Sequence, residues 1–290
     1  MAGGCTEGID TGFVSLGYAK VAVLGVVQGL TELMPISSTA HMRIVPAMFG
    51  WQDPGSAFSA AMQLAALAAV VSYFWRDISS IGGGAVRAAL NGRYGAWDVR
   101  FVIWVVLATV PIAIAGLLLS SRLNACGSPL RGLQVVGASC IAMAALLAIA
   151  ELYCRHRRVL GDMTLMDAMV VGIAQVGALI PGVSRSGSTL TAALFLDLKR
   201  EEAARFSFLL GIPAIALAGL KELYELHKAH LDAAGWSVLA VGLVVGSISA
   251  FVAIALLLRI LERFSTWPFV VYRAVIGVVI LYGAATGWLA

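Results

Sequence analysis

Two short polar segments interrupt a chain of otherwise apolar sequence, and they hold most of its chemically competent side chains. The first runs Gln28-Gly29-Leu30-Thr31-Glu32-Leu33-Met34-Pro35-Ile36-Ser37-Ser38-Thr39-Ala40-His41. The second runs Pro181-Gly182-Val183-Ser184-Arg185-Ser186-Gly187-Ser188-Thr189. Gln28 and Glu32 are four apart and share one helix face. A carboxylate among apolar neighbours is costly unless it is paired, binds a metal or faces water. Glu32 is therefore a general base, a metal ligand, or the partner of Arg185 or His41. Ser37, Ser38 and Thr39 follow Pro35 where a short helix should begin, so their hydroxyls either cap that helix or take part in chemistry. His41, three residues after Ser38, favours chemistry, since a base within reach of a serine is the mark of an activated nucleophile.

The second segment suits an anion. Glycines flank Ser184-Arg185-Ser186, which lets backbone N–H groups converge into a nest. Arg185 adds a permanent charge and a planar fork matched to phosphate oxygens. Ser188 and Thr189 are expected at the start of the next short helix, whose positive end also attracts an anion. A turn with an arginine tied to a carboxylate is the plainer alternative; inside a membrane-embedded break the phosphate cradle is favoured.

The elements that must position these groups are membrane helices. The 290 residues are 60% hydrophobic and 12% charged, with a mean hydropathy of +0.90. Soluble domains carry roughly 25% charged residues, so the expectation is an all-α, polytopic integral membrane protein forming one membrane domain. A net charge of +4 spread over short loops does not point to nucleic acid. Cys5, Cys126, Cys140 and Cys154 lack metal-ligand or C-x-x-C spacing and read as packing residues. His227 and His230 read as a solvated helix face. No cleavable signal peptide is expected, because the first apolar stretch begins late and carries Gln28 and Glu32.

Six spans are predicted at Phe58 to Trp75, Phe101 to Ser120, Leu133 to Tyr153, Phe206 to Leu220, Trp236 to Leu258 and Phe269 to Leu289. Phe13 to Met34 and Met163 to Ile180 end at prolines and are followed by segments too short to cross. They read as two re-entrant helical hairpins whose tips meet inside the protein, where broken backbone is tolerated. Asp167 is expected to cap its helix, and Lys221 to Leu231 to form an interfacial helix on the outer face. Arg76, Arg87, Arg93 and Arg100 share one loop, and Arg155, Arg157 and Arg158 another. Lys199, Arg200 and Arg205 fall in a third, and Arg259 and Arg263 in a fourth. Placing these in the cytoplasm brings the two hairpins in from opposite sides and leaves Arg122, Arg131, Lys221 and Lys228 outside. Gly25-Val26-Val27-Gln28 also mirrors Gly172-Ile173-Ala174-Gln175. Together these predict an inverted-topology repeat, with halves 13–153 and 163–290 and a working site where they meet.

The two segments resemble the signatures of the bacterial undecaprenyl-diphosphate phosphatases, also known as bacitracin-resistance proteins. An E/Q-x-x-x-E element followed by P-x-S-S-x-x-H is matched by Gln28, Glu32, Pro35, Ser37, Ser38 and His41, and P-G-x-S-R-S-G-x-T is matched from Pro181 to Thr189. The resemblance covers nearly the whole chain. It implies hydrolysis of undecaprenyl diphosphate to the monophosphate carrier, with a divalent cation (Mg2+ or Ca2+), in support of peptidoglycan synthesis and bacitracin tolerance. It implies the bacterial cytoplasmic (inner) membrane, with the site opening to the outer side. Glu32, Ser38, His41 and Arg185 are its motif residues, with Gln28, Thr39, Ser184, Ser186, Gly187 and Thr189 beside them on the phosphates. Gln28 stands where many relatives carry glutamate, and an amide offers neither a base nor an anionic ligand, so the acid–base or metal role shifts to Glu32. Whether Ser38 or a water is the nucleophile stays open. The partners are the polyprenyl diphosphate and membrane lipids; a homodimer stays open. The competing class is a lipid-phosphate transporter or flippase built on the same broken helices.

The loop charges make the orientation directly testable. In a background without the native cysteines, cysteine at Gly127 or Ala234 should react with an impermeant thiol reagent on intact cells, and cysteine at Gly83 or Gly161 only after the membrane is opened. Labelling of Gly83 but not Gly127 from outside would reverse the orientation.

Overall fold

Long apolar runs in a medium without water must satisfy their backbone internally, and here they do so as helices. The computed structural model describes residues 11–123 and 132–289; Cys5, Cys126, Gly127 and Arg131 lie outside them. Among the described residues there are twelve α-helices and no strand, only an isolated bridge between Arg158 and Leu198. The first hairpin is α1 (Phe13–Leu33) and α2 (Ser38–Met48), followed by α3 (Ser56–Ala61), α4 (Gln63–Tyr73), α5 (Trp75–Leu90), α6 (Trp97–Leu123) and α7 (Leu133–Tyr153). The second hairpin is α8 (Leu165–Val176) and α9 (Arg185–Phe195), followed by α10 (Arg200–Lys228), α11 (Ala233–Arg263) and α12 (Trp267–Thr286).

Among the described residues, six helices are long and apolar enough to cross a membrane: α1, α6, α7, α10, α11 and α12. Five contain or match predicted spans; the sixth differs. The stretch predicted from Phe58 to Trp75 is split at Met62 into α3 and α4, and past Phe74 the chain bends by 73° into α5. Thus the first arginine-rich segment is not a simple loop: part of it is an amphipathic helix with no buried residue. Helix α1, predicted as a hairpin arm, passes the length test. Its helical backbone is nevertheless interrupted at Gly17 (φ 71°). The stretch from Tyr18 to Leu33 falls short of the ~20 residues that span a bilayer, and at Pro35 the chain turns back into α2. Lys221 to Leu231 is not a separate helix, since it largely continues α10, and His227 and His230 at its end are exposed.

Glycines let the hairpin arms approach their neighbours closely. Helix α1 packs along α11 and α8 along α6. A Cβ at Gly29 would overlap the Gly246 carbonyl and lie 2.7 Å from Ser249 Cβ; one at Gly172 would overlap the Ala108 carbonyl. The short arms α2 and α9 are both 11 residues long, and each is preceded by a serine in the left-handed region, Ser37 (φ 71°) and Ser184 (φ 66°). Asp167 caps α8 in a box with Thr164 and pairs with Arg158 at 2.6 Å. That bond holds the Arg158 guanidinium above its ordinary pKa.

These contacts predict that Gly29→Val and Gly172→Val each destabilise the protein by about 1–3 kcal/mol, the usual cost of overpacking. Gly82→Ala, where a Cβ meets nothing within 4 Å, should be neutral or better. Thermal unfolding in detergent checks this; equal melting temperatures for all three variants would contradict the packing described.

Candidate active site

The site forms where the two helix breaks meet. On α1, Gln28 Nε2 donates to Glu32 Oε2 at 2.9 Å. At the first residue of α2, the Ser38 hydroxyl donates to the same oxygen at 2.6 Å. Glu32 Oε1 faces Arg185 Nη2 at 3.6 Å, an ion-pair distance too long for a good hydrogen bond. The Arg185 side chain is 10% exposed, and none of its three nitrogens makes a hydrogen bond. Its guanidinium lies against Gly211 of α10, where a Cβ would overlap Nη1. Buried donors are almost always satisfied in native proteins. Arg185 is thus set beside a carboxylate with its donor capacity largely unused.

The tips are fastened to each other. Ser186 Oγ donates to the carbonyls of Glu32 (3.1 Å) and Met34 (3.0 Å). Arg273 of α12, fully buried, reaches both breaks: Nη1 donates to Pro35 O at 3.1 Å and Nη2 to Gly182 O at 2.8 Å and to Val183 O. Its Nε donates to Cys140 O at 3.3 Å. Gly187 leaves the room this needs, since a Cβ there would overlap Arg273 Nη1.

The residues singled out from the sequence do not all converge. Gln28, Glu32, Ser38 and Arg185 come together. His41 does not bond Ser38 or Glu32: its Nδ1 meets Ser37 O and its Nε2 meets the Tyr272 hydroxyl, both at 2.7 Å. The base in contact with Ser38 is Glu32. Thr39 is exposed beside them. In the second segment, Ser184 Oγ caps α9 by accepting from Gly187 N–H at 3.2 Å, and Ser186 holds the tips together. The cap starts α9 at Arg185, three residues before the expected Ser188. Ser188 and Thr189 consequently bond back to Arg185 O, and the fully buried Thr189 also meets Ser207 Oγ at 2.5 Å. Thr189 packs against α10 and does not line an opening.

Sequence reasoning passed over Arg273, Tyr272 and Gly211. Arg273 carried a usable signal as the only charged residue within α12, because an ionisable group within a span is a functional candidate. Among the described residues no group of three or more His, Cys, Asp or Glu could enclose a metal; Glu32 is the carboxylate at the junction.

Comparison with known proteins identifies the family. The family model described as "Bacitracin resistance protein BacA" matches residues 21–279. A protein named "Undecaprenyl-diphosphatase 2" from Mesorhizobium japonicum is 69% identical over 263 residues, which is 91% of this chain and 100% of that protein. Proteins named "Undecaprenyl-diphosphatase" from Gloeobacter violaceus and Synechococcus elongatus are 48% and 49% identical, covering 94% and 93% of this chain and 94% of each relative. With a carboxylate, a serine and an unspent arginine at the junction of two broken helices, and likeness of this extent, the chain belongs to the bacitracin resistance protein BacA family.

Proposed function

We propose that this multi-pass membrane protein hydrolyses undecaprenyl diphosphate to undecaprenyl phosphate and inorganic phosphate. The reaction recycles the lipid carrier for peptidoglycan synthesis and gives bacitracin resistance. The observation that carries the site assignment is the Arg185 guanidinium, buried and without hydrogen bonds, beside Glu32 with Ser38 already on it. Phosphoryl transfer rests mainly on positioning and charge neutralisation, and these groups supply both.

In this reading Arg185 and the backbone N–H groups opening α9 take the non-bridging oxygens of the terminal phosphate. Glu32 accepts the proton of the attacking hydroxyl, either that of Ser38 or a water in its place. A new P–O bond forms at the terminal phosphorus as the bond to the bridging oxygen breaks. Undecaprenyl phosphate leaves; if Ser38 attacked, water then cleaves the phosphoserine. The donor set fits a divalent cation, Mg2+ or Ca2+. Glu32 offers a carboxylate, Gln28 an amide oxygen and Ser38 a hydroxyl, and hard cations bound by few carboxylates share phosphate oxygens with the substrate. When bound, the cation would neutralise phosphate charge.

The matched features of the halves 13–153 and 163–290 support an inverted repeat: two short arms of equal length, left-handed serines before both, and close-packed glycines at Gly25 and Gly172. The arginine-rich loops support an orientation with those loops in the cytoplasm and the site opening outward from the bacterial inner membrane.

Phosphate release from undecaprenyl diphosphate by purified protein in detergent tests the reading. Arg185→Lys and Glu32→Gln should each lose about 100-fold or more in turnover, the scale seen when a charge-stabilising donor is removed, while Gln28→Glu stays active. An Arg185→Lys protein with normal turnover would reduce the arginine to a structural partner. Lipid movement without phosphate release would favour the transporter class.

A further inference from the structure

We infer that Tyr272 is the outward end of a hydrogen-bond chain, Ser37–His41–Tyr272, that presents a hydroxyl to the phosphate oxygens of the substrate; this rests on the hydrolase reading above. A neutral imidazole has one donor and one acceptor nitrogen. Nδ1 of His41 lies 2.7 Å from Ser37 O, and a carbonyl can only accept, so Nδ1 carries the hydrogen. Nε2 is then the lone-pair nitrogen, and the Tyr272 hydroxyl at 2.7 Å donates to it. The two rings lie 2° from parallel, with centroids 5.6 Å apart, so the Ser37 carbonyl fixes the tautomer and the tyrosine holds the plane of the imidazole.

His41 is 7% exposed and Tyr272 42% exposed, so the tyrosine is the accessible end of the pair and the histidine acts through it. Left-handed Ser37 aims its carbonyl at the imidazole and stands immediately before Ser38, which ties the chain to the residue bonded to Glu32. The chain has a second arrangement. With one proton taken from water onto Nε2, His41 donates to the tyrosine oxygen, and the tyrosine O–H is released towards a phosphate oxygen. One proton is taken up, and no covalent bond to phosphorus changes. A multiply charged phosphate favours that arrangement by adding negative charge beside it.

The test is a double-mutant cycle on purified protein, with kcat and KM for undecaprenyl diphosphate measured for wild type, Tyr272→Phe, His41→Gln and the double variant. Tyr272→Phe keeps the ring and should unfold at the wild-type temperature. Its kcat and kcat/KM should fall together by about 10- to 100-fold, within or just below the range for positioned proton donors. The double variant should match His41→Gln to within about twofold, since one chain is broken either way. Wild-type turnover by Tyr272→Phe, or losses that multiply, would overturn the inference. Independently of activity, 15N-histidine spectra of the wild-type protein should show neutral His41 with the hydrogen on Nδ1; a hydrogen on Nε2 would also overturn it. A wild-type protein that released no phosphate, with the expected tautomer present, would place the failure in the hydrolase reading.

Discussion

The buried guanidinium of Arg273 is the interaction on which the site depends. Breaking a helix inside a membrane leaves carbonyls without partners, each costing several kcal/mol when no water is available. Burying an unpaired arginine carries a penalty of the same order. The fold cancels one cost against the other. Arg273 donates to Pro35 O in the first break and to Gly182 O and Val183 O in the second, with Cys140 O as a fourth acceptor. A single side chain on α12 thereby sets the spacing of both tips, and Ser186 closes the junction through two further carbonyls of the first hairpin.

That junction explains why Arg185 is left underused. The tips are held by Arg273 and Ser186, so Arg185 is not needed as a fastener and stops 3.6 Å from Glu32. Glu32, meanwhile, spends its other oxygen on Gln28 and Ser38. The result is a preorganised cation with unspent donors beside a carboxylate that already accepts a hydrogen bond from a hydroxyl. In the proposed mechanism, structural duty and chemical duty fall on different arginines. Glycine at position 211 gives Arg185 its space, and glycine at 187 gives Arg273 its own.

Much of this was legible in the sequence where the signal is local. Pro35 and Pro181 mark the breaks, and Glu32 and Arg185 stand out as charges at membrane depth. Asp167 reads correctly as a cap because its partners Thr164 and Arg158 are within nine residues. What was not legible depends on distant chain. Arg273 meets Pro35 across 238 positions, and His41 meets Tyr272 across 231. Spacing put His41 one turn from Ser38 and suggested a dyad. The left-handed Ser37 instead starts α2 so that Ser38 points back at Glu32 while the imidazole turns to Ser37 O. The start of α9 was misjudged because the capping hydroxyl is that of Ser184. The split of the stretch from Phe58 to Trp75 is marked by no proline or glycine, and apolar residues continue on both sides of Met62.

The central claim is that Arg273 holds the two tips in register for phosphoryl transfer, so the most direct measurement is phosphate release from undecaprenyl diphosphate by folded Arg273→Met. Methionine fills the space but cannot donate, which frees both breaks to shift. A displacement near 1 Å is enough to cost about 100-fold in rate, and Arg273→Met is expected to lose at least that much while still purifying as a single species. Turnover close to wild type by that variant would contradict it.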